Sequence, residues 1–442
     1  MSDRRFMMSS LFGARLASVV VALAGASTAA IATTPTFQPL GNLGGFPAES
    51  IAWAVSGNGL VVVGESPSLL AGDNPQAWRQ PLGGSLVGLG SLSVVFDLSF
   101  AYGVSSDGRY TVGASFAEPD FLLQGFRHDA QTNALLPLGG LPGGPLNSIA
   151  NAVNANGSVV VGQAKSLGTN AAQRDEAFRW RAGVGMQGLG FLPGDSGSVA
   201  NGVSADGTTV VGWSSNLLNR TEAFIWRSPG PMQGLGDLAG GGISSIAVAV
   251  SADGQTVVGQ ASTAQGLVAF RHNAAYGMQV VGDLPGGAVN AQARAVSGSG
   301  NVVVGYATTD TSGNDGEAFI WDYRGMRSLR QTLVDAGVNM TGWRLLWANG
   351  LSLDGTVIVG YGLNPLGQLQ AFRAVLPFCG PDFNVDSTLN QEDLSGFITC
   401  FIGSVEGFEP CAAADYNADT FVDQEDLSAY LTEYFSDAPA CI

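Results

Sequence analysis

Seven copies of one pattern of apolar and polar residues follow one another between residues 36 and 378. In six copies an apolar run of the type Ala-Val-Ser meets a polar Asp-Gly or Asn-Gly pair and returns as Val-Val-Gly, and the remaining copy has Ser299-Gly300 in place of the pair. Short apolar runs separated by turn residues are typical of β-hairpins. The glycines that close the copies are 46 to 55 residues apart, at Gly64, Gly113, Gly162, Gly212, Gly259, Gly305 and Gly360. This period suits a four-stranded unit and predicts the blades of a propeller.

Each copy divides into four predicted strands. The hairpin is clearest where residues 200–204 lead through Asp206-Gly207 to residues 208–211, and a two-residue type I′ turn with positive φ at both central positions is expected there. A third strand reads Ala-Phe-Arg-Trp at 177–180, and a fourth reads Gly-Met-Gln-Gly-Leu-Gly at 185–190. The residues before the turn glycines therefore receive a turn role rather than a catalytic one: Asn58, Asp107, Asn156, Asp206, Asp253, Ser299 and Asp354.

Residues that could suggest chemistry recur at fixed places in the repeat, which favours structural roles. The aromatic residues of the third strand are interpreted as packing between blades: Phe178, Trp180, Trp226 and Trp321. His128 and His272 stand where other copies have tryptophan, and no third ligand accompanies them. Glu176, Glu222 and Glu317 also share one repeat position, so the sequence offers no pair of carboxylates for glycoside chemistry outside the repeat.

The two ends of the repeat region complete each other. The last copy stops after its third strand at residues 371–375, while residues 37–45 match the fourth-strand pattern of residues 233–241. The sequence therefore predicts an all-β, seven-bladed β-propeller that is closed by an N-terminal strand, which leaves no exposed strand edge. The longest gap, before Gly360, contains residues 329–338, and we expect a short helix there that serves as a spacer or as a binding elaboration.

The repeat motifs resemble those of the HAF family of extracellular repeats over residues 36–378. The resemblance rests on Ala-Val-Ser-x-Asp-Gly, Val-Val-Gly, Ala-Phe-Arg-Trp and Gly-Met-x-x-Leu-Gly. It implies a secreted or surface-exposed bacterial protein, and it implies little about molecular function.

The N-terminus is typical of a signal peptide over residues 1–32. Arg4, Arg5 and Arg15 precede an apolar run at 16–25, and Ala30-Ile31-Ala32 forms an A-x-A cleavage pattern. The apolar run is short for a membrane span, although an uncleaved anchor is the alternative. Because Arg4-Arg5-Phe6 only loosely resembles a twin-arginine signal, the general and twin-arginine export routes both stay open.

The net charge of −17 is concentrated in residues 379–442, which contain 13 Asp and Glu and no Lys or Arg. The rest of the chain is nearly neutral, which argues against nucleic-acid binding. All four cysteines also lie in this tail, and disulfides are expected in an exported protein. Of the three possible connectivities, their positions favour Cys400 with Cys411 and Cys379 with Cys441, and free buried thiols are the alternative.

The tail contains an internal duplication with an offset of 33 residues. In each copy, oxygen-bearing groups fall at positions 1, 3, 5, 9 and 12 of a twelve-residue loop, and the carbonyl of position 7 is added, as in EF-hand calcium sites. Two calcium ions are therefore expected, and a solvated acidic tail is the alternative. The predicted ligands are Asp382, Asn384, Asp386, Thr388, Asn390 and Asp393 in the first loop, and Asp415, Asn417, Asp419, Phe421, Asp423 and Asp426 in the second.

A short amphipathic helix is expected after each loop, with Leu394, Phe397 and Phe401 matched by Leu427, Tyr430 and Tyr434. A duplicated loop-and-helix unit with Asp at position 12 resembles a dockerin, which implies calcium-dependent docking to a cohesin-like or other surface protein. Two features depart from that family. Ser387 and Thr420 replace the glycine usual at position 6, and Gln-Glu stands at the partner-reading positions 10 and 11.

These observations favour a secreted or cell-surface, non-catalytic binding or scaffold protein. The propeller (33–378) would present a glycan or protein ligand, and the tail (379–442) would attach the protein to a partner. The alternative is an extracellular polysaccharide hydrolase or lyase with the same tail. No membrane span is expected after cleavage of the signal peptide.

Overall fold

The repeats fold into seven four-stranded antiparallel sheets in the computed structural model. The structure describes residues 34–167, 173–218, 220–310, 316–322 and 324–376, and the helical residues 394, 397, 398, 424 and 427–431. Each sheet is one blade, and its strands follow one another in chain order from the centre outward, except in the seventh. The predicted all-β seven-bladed propeller is confirmed. The predicted signal peptide (1–32) lies outside the described residues, as does the predicted tail (379–442) apart from those helical residues.

The strands of the first four blades are as follows: β2 Ile51–Val55, β3 Val61–Pro67, β4 Pro75–Pro81 and β5 Val87–Gly88; β6 Ser99–Val104, β7 Tyr110–Ala117, β8 Leu122–Asp129 and β9 Ala134–Pro137; β10 Ser148–Val153, β11 Val159–Leu167, β12 Gln173–Arg181 and β13 Gly185–Gly188; β14 Gly197–Val203, β15 Thr209–Ser215, β16 Thr221–Arg227 and β17 Met232–Gly236. A single 3₁₀ turn, Leu69–Ala71, follows β3 in the described part of blade 1.

The remaining blades contain β18 Ser245–Val250, β19 Val257–Ser262, β20 Leu267–Asn273 and β21 Gly277–Gly282; β22 Ala291–Val296, β23 Val303–Ala307, β24 Glu317–Asp322 and β25 Gly325–Ser328; and β26 Arg344–Leu351, β27 Val357–Leu363, β28 Leu369–Val375 and β1 Thr36–Pro39. A helix, α1 Leu329–Asp335, connects blades 6 and 7. Its residues Leu329 and Leu333 are fully buried in the core between these blades, which supports the spacer role predicted for this segment.

The first strand of the chain closes the ring. β1 pairs antiparallel with β28, with Thr36 opposite Val375 and Pro39 opposite Phe372. The Phe37 ring packs against the rings of Trp343 and Phe372, at centroid distances of 4.9 and 5.7 Å. The predicted closure by the N-terminal strand is therefore confirmed.

The hairpin turns differ from the prediction. Only the turn glycines have positive φ, for example 77° at Gly108 and 75° at Gly207, whereas none of the Asp, Asn or Ser residues before them does. The expected type I′ turns are wrong, and each hairpin instead has a longer loop that ends in a left-handed glycine. The residue before the glycine acts through its side chain. Asp107 accepts hydrogen bonds from Ser105 Oγ, at 2.6 Å, and from the backbone N–H of Arg109, at 3.0 Å.

Polar side chains of the repeat connect neighbouring blades. A serine at the start of an inner strand accepts a hydrogen bond from a third-strand N–H of the preceding blade, as Ser198 does from Ala177 at 2.9 Å. The arginine at the third position of the Ala-Phe-Arg-Trp motif donates to the turn-glycine carbonyl of the following blade, as Arg79, Arg127, Arg179 and Arg373 do. In the fourth blade Ile225 holds that position, and Arg227, which follows the tryptophan, makes the bond instead. Because both bonds satisfy groups buried between sheets, the polar motif residues stabilise the ring.

The antiparallel order gives the propeller two different faces. The hairpins between the first and second strands lie on one face, which we call the hairpin face. The connections between the second and third strands, and those between blades, lie on the opposite loop face. The loop face carries exposed apolar side chains, among them Leu70, Val94, Leu217 and Leu366, each more than 80% exposed. Because β1 starts opposite the end of β28, the described chain enters and leaves the ring on the hairpin face.

Candidate ligand site in the central channel

A β-bulge recurs at one position in the inner strand of every blade. The residue at this position faces the axis of the ring and lines a central channel of about 560 Å³. The seven bulge residues are Trp53, Tyr102, Asn151, Asn201, Val248, Arg294 and Asn349. Their neighbours in the strand are Ala or Gly in each blade. The repeat therefore keeps its backbone-packing residues constant and varies the residue that faces the channel.

The channel is more uniform toward the hairpin face. The residues two positions after the bulge are Val55, Val104, Val153, Val203, Val250, Val296 and Leu351. Closer to the hairpin face, one backbone hydrogen bond joins each hairpin to the next. Seven such bonds of 2.8 to 3.2 Å form a closed ring around the axis. On this side, Leu353 lies against Gly57 and Gly298 of the neighbouring hairpins. Chemical variety is thus confined to the part of the channel nearer the loop face.

Three of the bulge residues support the ring itself. The Asn151 amide donates to the carbonyl of Ala200 in the next blade, and Asn201 does the same to Ala247. Asn349 donates to Ala52 at 2.9 Å and so connects the last blade to the first. These asparagines hold neighbouring inner strands together while their side chains line the channel.

Arg294 and Trp53 line another side of the channel and contact an aromatic cluster behind it. The Arg294 guanidinium lies over the rings of Trp347 and Trp53, at 5.6 and 5.9 Å from their centroids. The ring of Trp347 stacks on Tyr306 at 3.8 Å and lies parallel to Tyr361 at 6.0 Å. Burial lowers the pKa of Arg294 and raises the pKa of Tyr361 to about 12. This sector comes from blades 1, 6 and 7, which meet around the closure of the ring.

One carboxyl group, Glu65, lies at the edge of this sector beside Trp53 and Tyr102. Burial raises the pKa of Glu65 to about 7, and proximity to the Trp53 indole lowers it only slightly. The indole Nε1 itself has no partner at hydrogen-bonding geometry. Burial, and next the charge of Glu65, raise the pKa of Tyr102. Glu65 is therefore an acid that changes charge near neutral pH at the edge of the channel.

The charge of Glu65 predicts a pH-dependent stability. The pKa is raised from 4.5 to about 7 on folding, so the folded chain keeps a proton that the unfolded chain has released between these values. The contribution of Glu65 to stability is therefore greatest below pH 4.5 and falls as the pH rises toward 7. We expect Glu65→Gln to raise the free energy of unfolding by about 2 kcal/mol at pH 8 and to change little at pH 4. Urea titrations at both pH values measure this, with the exposed Asp120→Asn as the control. Equal effects of Glu65→Gln at both pH values would contradict the assignment.

Several structural interpretations from the sequence are supported by contacts. Arg127 lies over the ring of Trp180, and Arg179 over that of Trp226, so these tryptophans pack between blades. His128 is buried and is 3.1 Å from Asn133 Oδ1. Glu176 and Glu222 accept hydrogen bonds from Gly190 and Gly236, two backbone groups of their own blades. None of these residues lines the channel.

The predicted calcium ligands and the four cysteines lie outside the described residues. Among the residues that the structure does describe, no group of three or more His, Cys, Asp or Glu side chains could hold a metal ion. The described tail residues are helical at the positions predicted after each loop. Phe397 and Tyr430, matched by the 33-residue offset, are buried and stack at 3.8 Å. Leu394 and Leu427 pack against this pair.

The channel residues cannot be recognised from the residues that recur in the repeat. They are marked instead by a residue that differs from copy to copy and stands between two small residues, in the pattern Ala-x-Ala or Ala-x-Gly. When the seven copies are compared, this pattern identifies all seven bulge residues.

The fold and the channel define a seven-bladed β-propeller with an axial cavity. No family model and no curated protein matches the chain. Similar solved structures include an oligogalacturonate lyase from Vibrio parahaemolyticus, with 12% identity over 78% of this chain and 98% of that chain and a TM-score of 0.49. The propeller domain of the Trilobed protease from Pyrococcus furiosus has 10% identity over 74% and 95%, with a TM-score of 0.48.

TolB from Acinetobacter baumannii has 14% identity and a TM-score of 0.40, and the match covers 62% of this chain and 61% of TolB. The three proteins differ in function, so the likeness concerns the fold alone. No helix in the described part of the chain is long and apolar enough to cross a membrane.

Proposed function

We propose that this protein is an exported, non-catalytic binding protein that takes a ligand into the central channel from the loop face. The proposal rests on the difference between the residues that face the channel and the rest of the repeat. Seven equivalent positions hold Trp, Tyr, Asn, Val and Arg, whereas the surrounding repeat is nearly invariant. A residue needed only for packing would repeat with its neighbours, whereas a varied ring of aromatic, amide and cationic groups is typical of a ligand site.

The electrostatics of the channel favour binding over catalysis. Glu65, the acid with a pKa of about 7, lies only at the edge of the channel, and the described residues that line the channel include no carboxylate and no histidine. Glycoside hydrolysis commonly needs two carboxylates that flank the bond. The alternative, a polysaccharide hydrolase or lyase, would therefore need a catalytic partner from elsewhere.

We further propose that the tail attaches the protein to a cohesin-like or other surface protein through a calcium-loaded, dockerin-like module. Support comes from the twice-repeated ligand spacing and from the packing of Phe397 on Tyr430, its match in the duplication. The chain leaves the propeller on the hairpin face, opposite the varied end of the channel. Attachment through the tail would then leave the loop face accessible. The HAF resemblance and the signal-peptide pattern support export.

A substitution that fills the channel tests the ligand site. Val248→Trp introduces a large ring at a bulge position that makes no polar contact to a neighbouring blade, so we expect it to abolish capture of the ligand on a glycan and surface-extract array. Val280→Trp, on an exposed outer strand, is the matched control and should bind normally. Undiminished capture by Val248→Trp would place the site elsewhere. If the protein turned over a polysaccharide and Glu65→Gln abolished that turnover, the alternative function of a polysaccharide hydrolase or lyase would be favoured.

The tail predicts two calcium ions with unequal affinities. Its 13 acidic residues repel one another without metal, so calcium should stabilise the tail. The β-branched Thr420 should resist the bend at position 6 more than Ser387 does, which makes the second site weaker. We expect Asp415→Ala to abolish the second site and Thr420→Gly to strengthen it by roughly tenfold. Calorimetric titration of the chelated full-length protein measures both sites. A stoichiometry near zero would contradict the calcium-dependent attachment.

A further inference from the structure

The position of Arg294 separates it from the structural arginines of the repeat. Arg79, Arg127, Arg179, Arg227 and Arg373 lie on third strands and donate to the turn glycine of the next blade. Arg294 instead lies on the inner strand β22, at the bulge position, and faces the channel. Its role in the ring therefore differs from theirs.

The bulge asparagines can be compared with Arg294, because all four residues occupy the same position in their blades. Asn151, Asn201 and Asn349 each use the bulge position to donate to a backbone carbonyl of the next blade. The hydrogen bond of Arg294 goes to Gln292 Oε1 on its own strand, at 3.3 Å, and its buried Nε has no partner. Unlike these asparagines, Arg294 thus donates no hydrogen bond to a neighbouring blade.

The guanidinium of Arg294 also lacks a counter-ion. Within the described residues, the salt bridges involve Asp129, Asp175 and Asp322, and none of them includes Arg294. Removing a cation from water without a carboxylate partner is unfavourable, and this penalty lowers the pKa of Arg294. An anion that enters the channel would relieve it and would form a charge-assisted hydrogen bond.

The surroundings of Arg294 indicate what else such an anion would carry. Trp53, which lines the channel, and Trp347 flank the guanidinium, and Tyr306 stacks on Trp347. On the same side, the amide of Gln292 donates to Gln260 at 2.9 Å, so polar amide groups adjoin the aromatic rings. Aromatic rings next to amides and a cation suit a molecule with C–H faces, hydroxyl groups and one carboxylate.

Resting on the proposed channel function, we propose that the channel binds a sugar acid through Arg294. The carboxylate bonds to the guanidinium, the sugar ring contacts Trp53, and hydroxyl groups reach the Gln292 amide. A neutral sugar would not compensate the charge of the guanidinium. A small anion without a ring would not make the contact with the aromatic side chain.

Titration calorimetry with D-glucuronate and D-glucose tests the proposal, because the two sugars differ in the carboxylate. The full-length protein should bind glucuronate at least about tenfold more tightly than glucose, and Arg294→Gln should remove that preference. Arg294→Lys should retain part of it, since the charge remains without the planar fork. The control is Arg220→Gln, an exposed arginine of the loop face, which should behave as the unaltered protein does. Acetate and benzoate at the same concentration serve as anions without a sugar ring.

Each outcome decides the question. Equal affinity for glucose and glucuronate, an unchanged preference in Arg294→Gln, or equally tight acetate or benzoate would overturn the sugar-acid assignment. Absence of binding to either sugar would overturn it too. The proposed ligand site in the channel has its own test, and it would be wrong if Val248→Trp kept every interaction found on the array. Circular dichroism melting of Arg294→Gln shows whether the variant is folded, since the substitution removes the cation–π contacts to Trp53 and Trp347 but no hydrogen bond between blades.

Discussion

Deletion of residues 34–40 is expected to lower the stability of the propeller by about 5 kcal/mol or more. The deletion removes β1, and with it the fourth strand of blade 7. Phe37 leaves its contacts with Trp343 and Phe372, the buried Leu40 is lost, and the hydrogen bond from Leu40 N–H to the Ala371 carbonyl disappears. The edge of β28 then becomes exposed, which also predicts association between molecules. Thermal melting and urea titration measure the first effect, and light scattering the second.

Single substitutions within β1 provide the controls. Phe37→Ala should reproduce about half of the loss, because it removes the aromatic contact and keeps the strand. Gln38→Ala should be neutral, since this side chain is exposed. A melting temperature that is unchanged by the deletion would show that β1 does not hold the ring closed.

Replacement of Gly212 by alanine is expected to destabilise the protein by about 3 kcal/mol or more. A Cβ on this glycine would collide with the carbonyl oxygen of Val199 on the inner strand. The same conflict exists at the closing glycine of each of the seven copies, because the bulge brings an inner-strand carbonyl over it. The neighbouring atoms are backbone, so the strand itself would have to move. The invariant glycine of Val-Val-Gly is thus explained by the bulge.

Two measurements distinguish this steric conflict from a general effect of removing glycine. Gly242→Ala should leave the urea midpoint unchanged, because no atom lies within 4 Å of the added Cβ and φ is not positive. Gly183→Ala, at a φ of 77° in an open turn, should be intermediate at about 1 kcal/mol. If Gly212→Ala resembled Gly242→Ala, the explanation by close approach would be wrong.

The sequence predicted the propeller because its determinants are local and repeated. Alternation of apolar residues, turn glycines and a period near 50 residues define four strands per copy, and the unmatched strands at the two ends define the closure. The turn type was wrong because Asp-Gly is compatible with more than one loop. The bulge on the inner strand depends on its pairing with the second strand, and a single copy of the motif does not show it.

The candidate site was beyond prediction for a different reason. Trp53, Arg294 and Trp347 are separated by up to 294 positions, and they come together only because the ring closes between blades 7 and 1. The arginine of Ala-Phe-Arg-Trp illustrates the same limit. Its recurrence suggests a structural role, but its acceptor lies in the next blade and is visible only in the assembled ring. The pKa of Glu65 likewise depends on burial between two blades.

The pairing of β1 with β28 has a consequence for the order of folding. β1 precedes the other propeller strands in the chain, yet its partner β28 is the last of them, and Ser50 Oγ nearby accepts a hydrogen bond from the N–H of Ala371, which is 321 positions away. Blades 1 to 6 can form one after another from neighbouring segments, but the seventh must wait for almost the whole propeller chain. Contacts of such long sequence separation are slow to form, and an unpaired strand is prone to aggregation meanwhile. We therefore expect a late, slow phase in refolding that is reported by the environment of Trp343 and is absent when β1 is deleted.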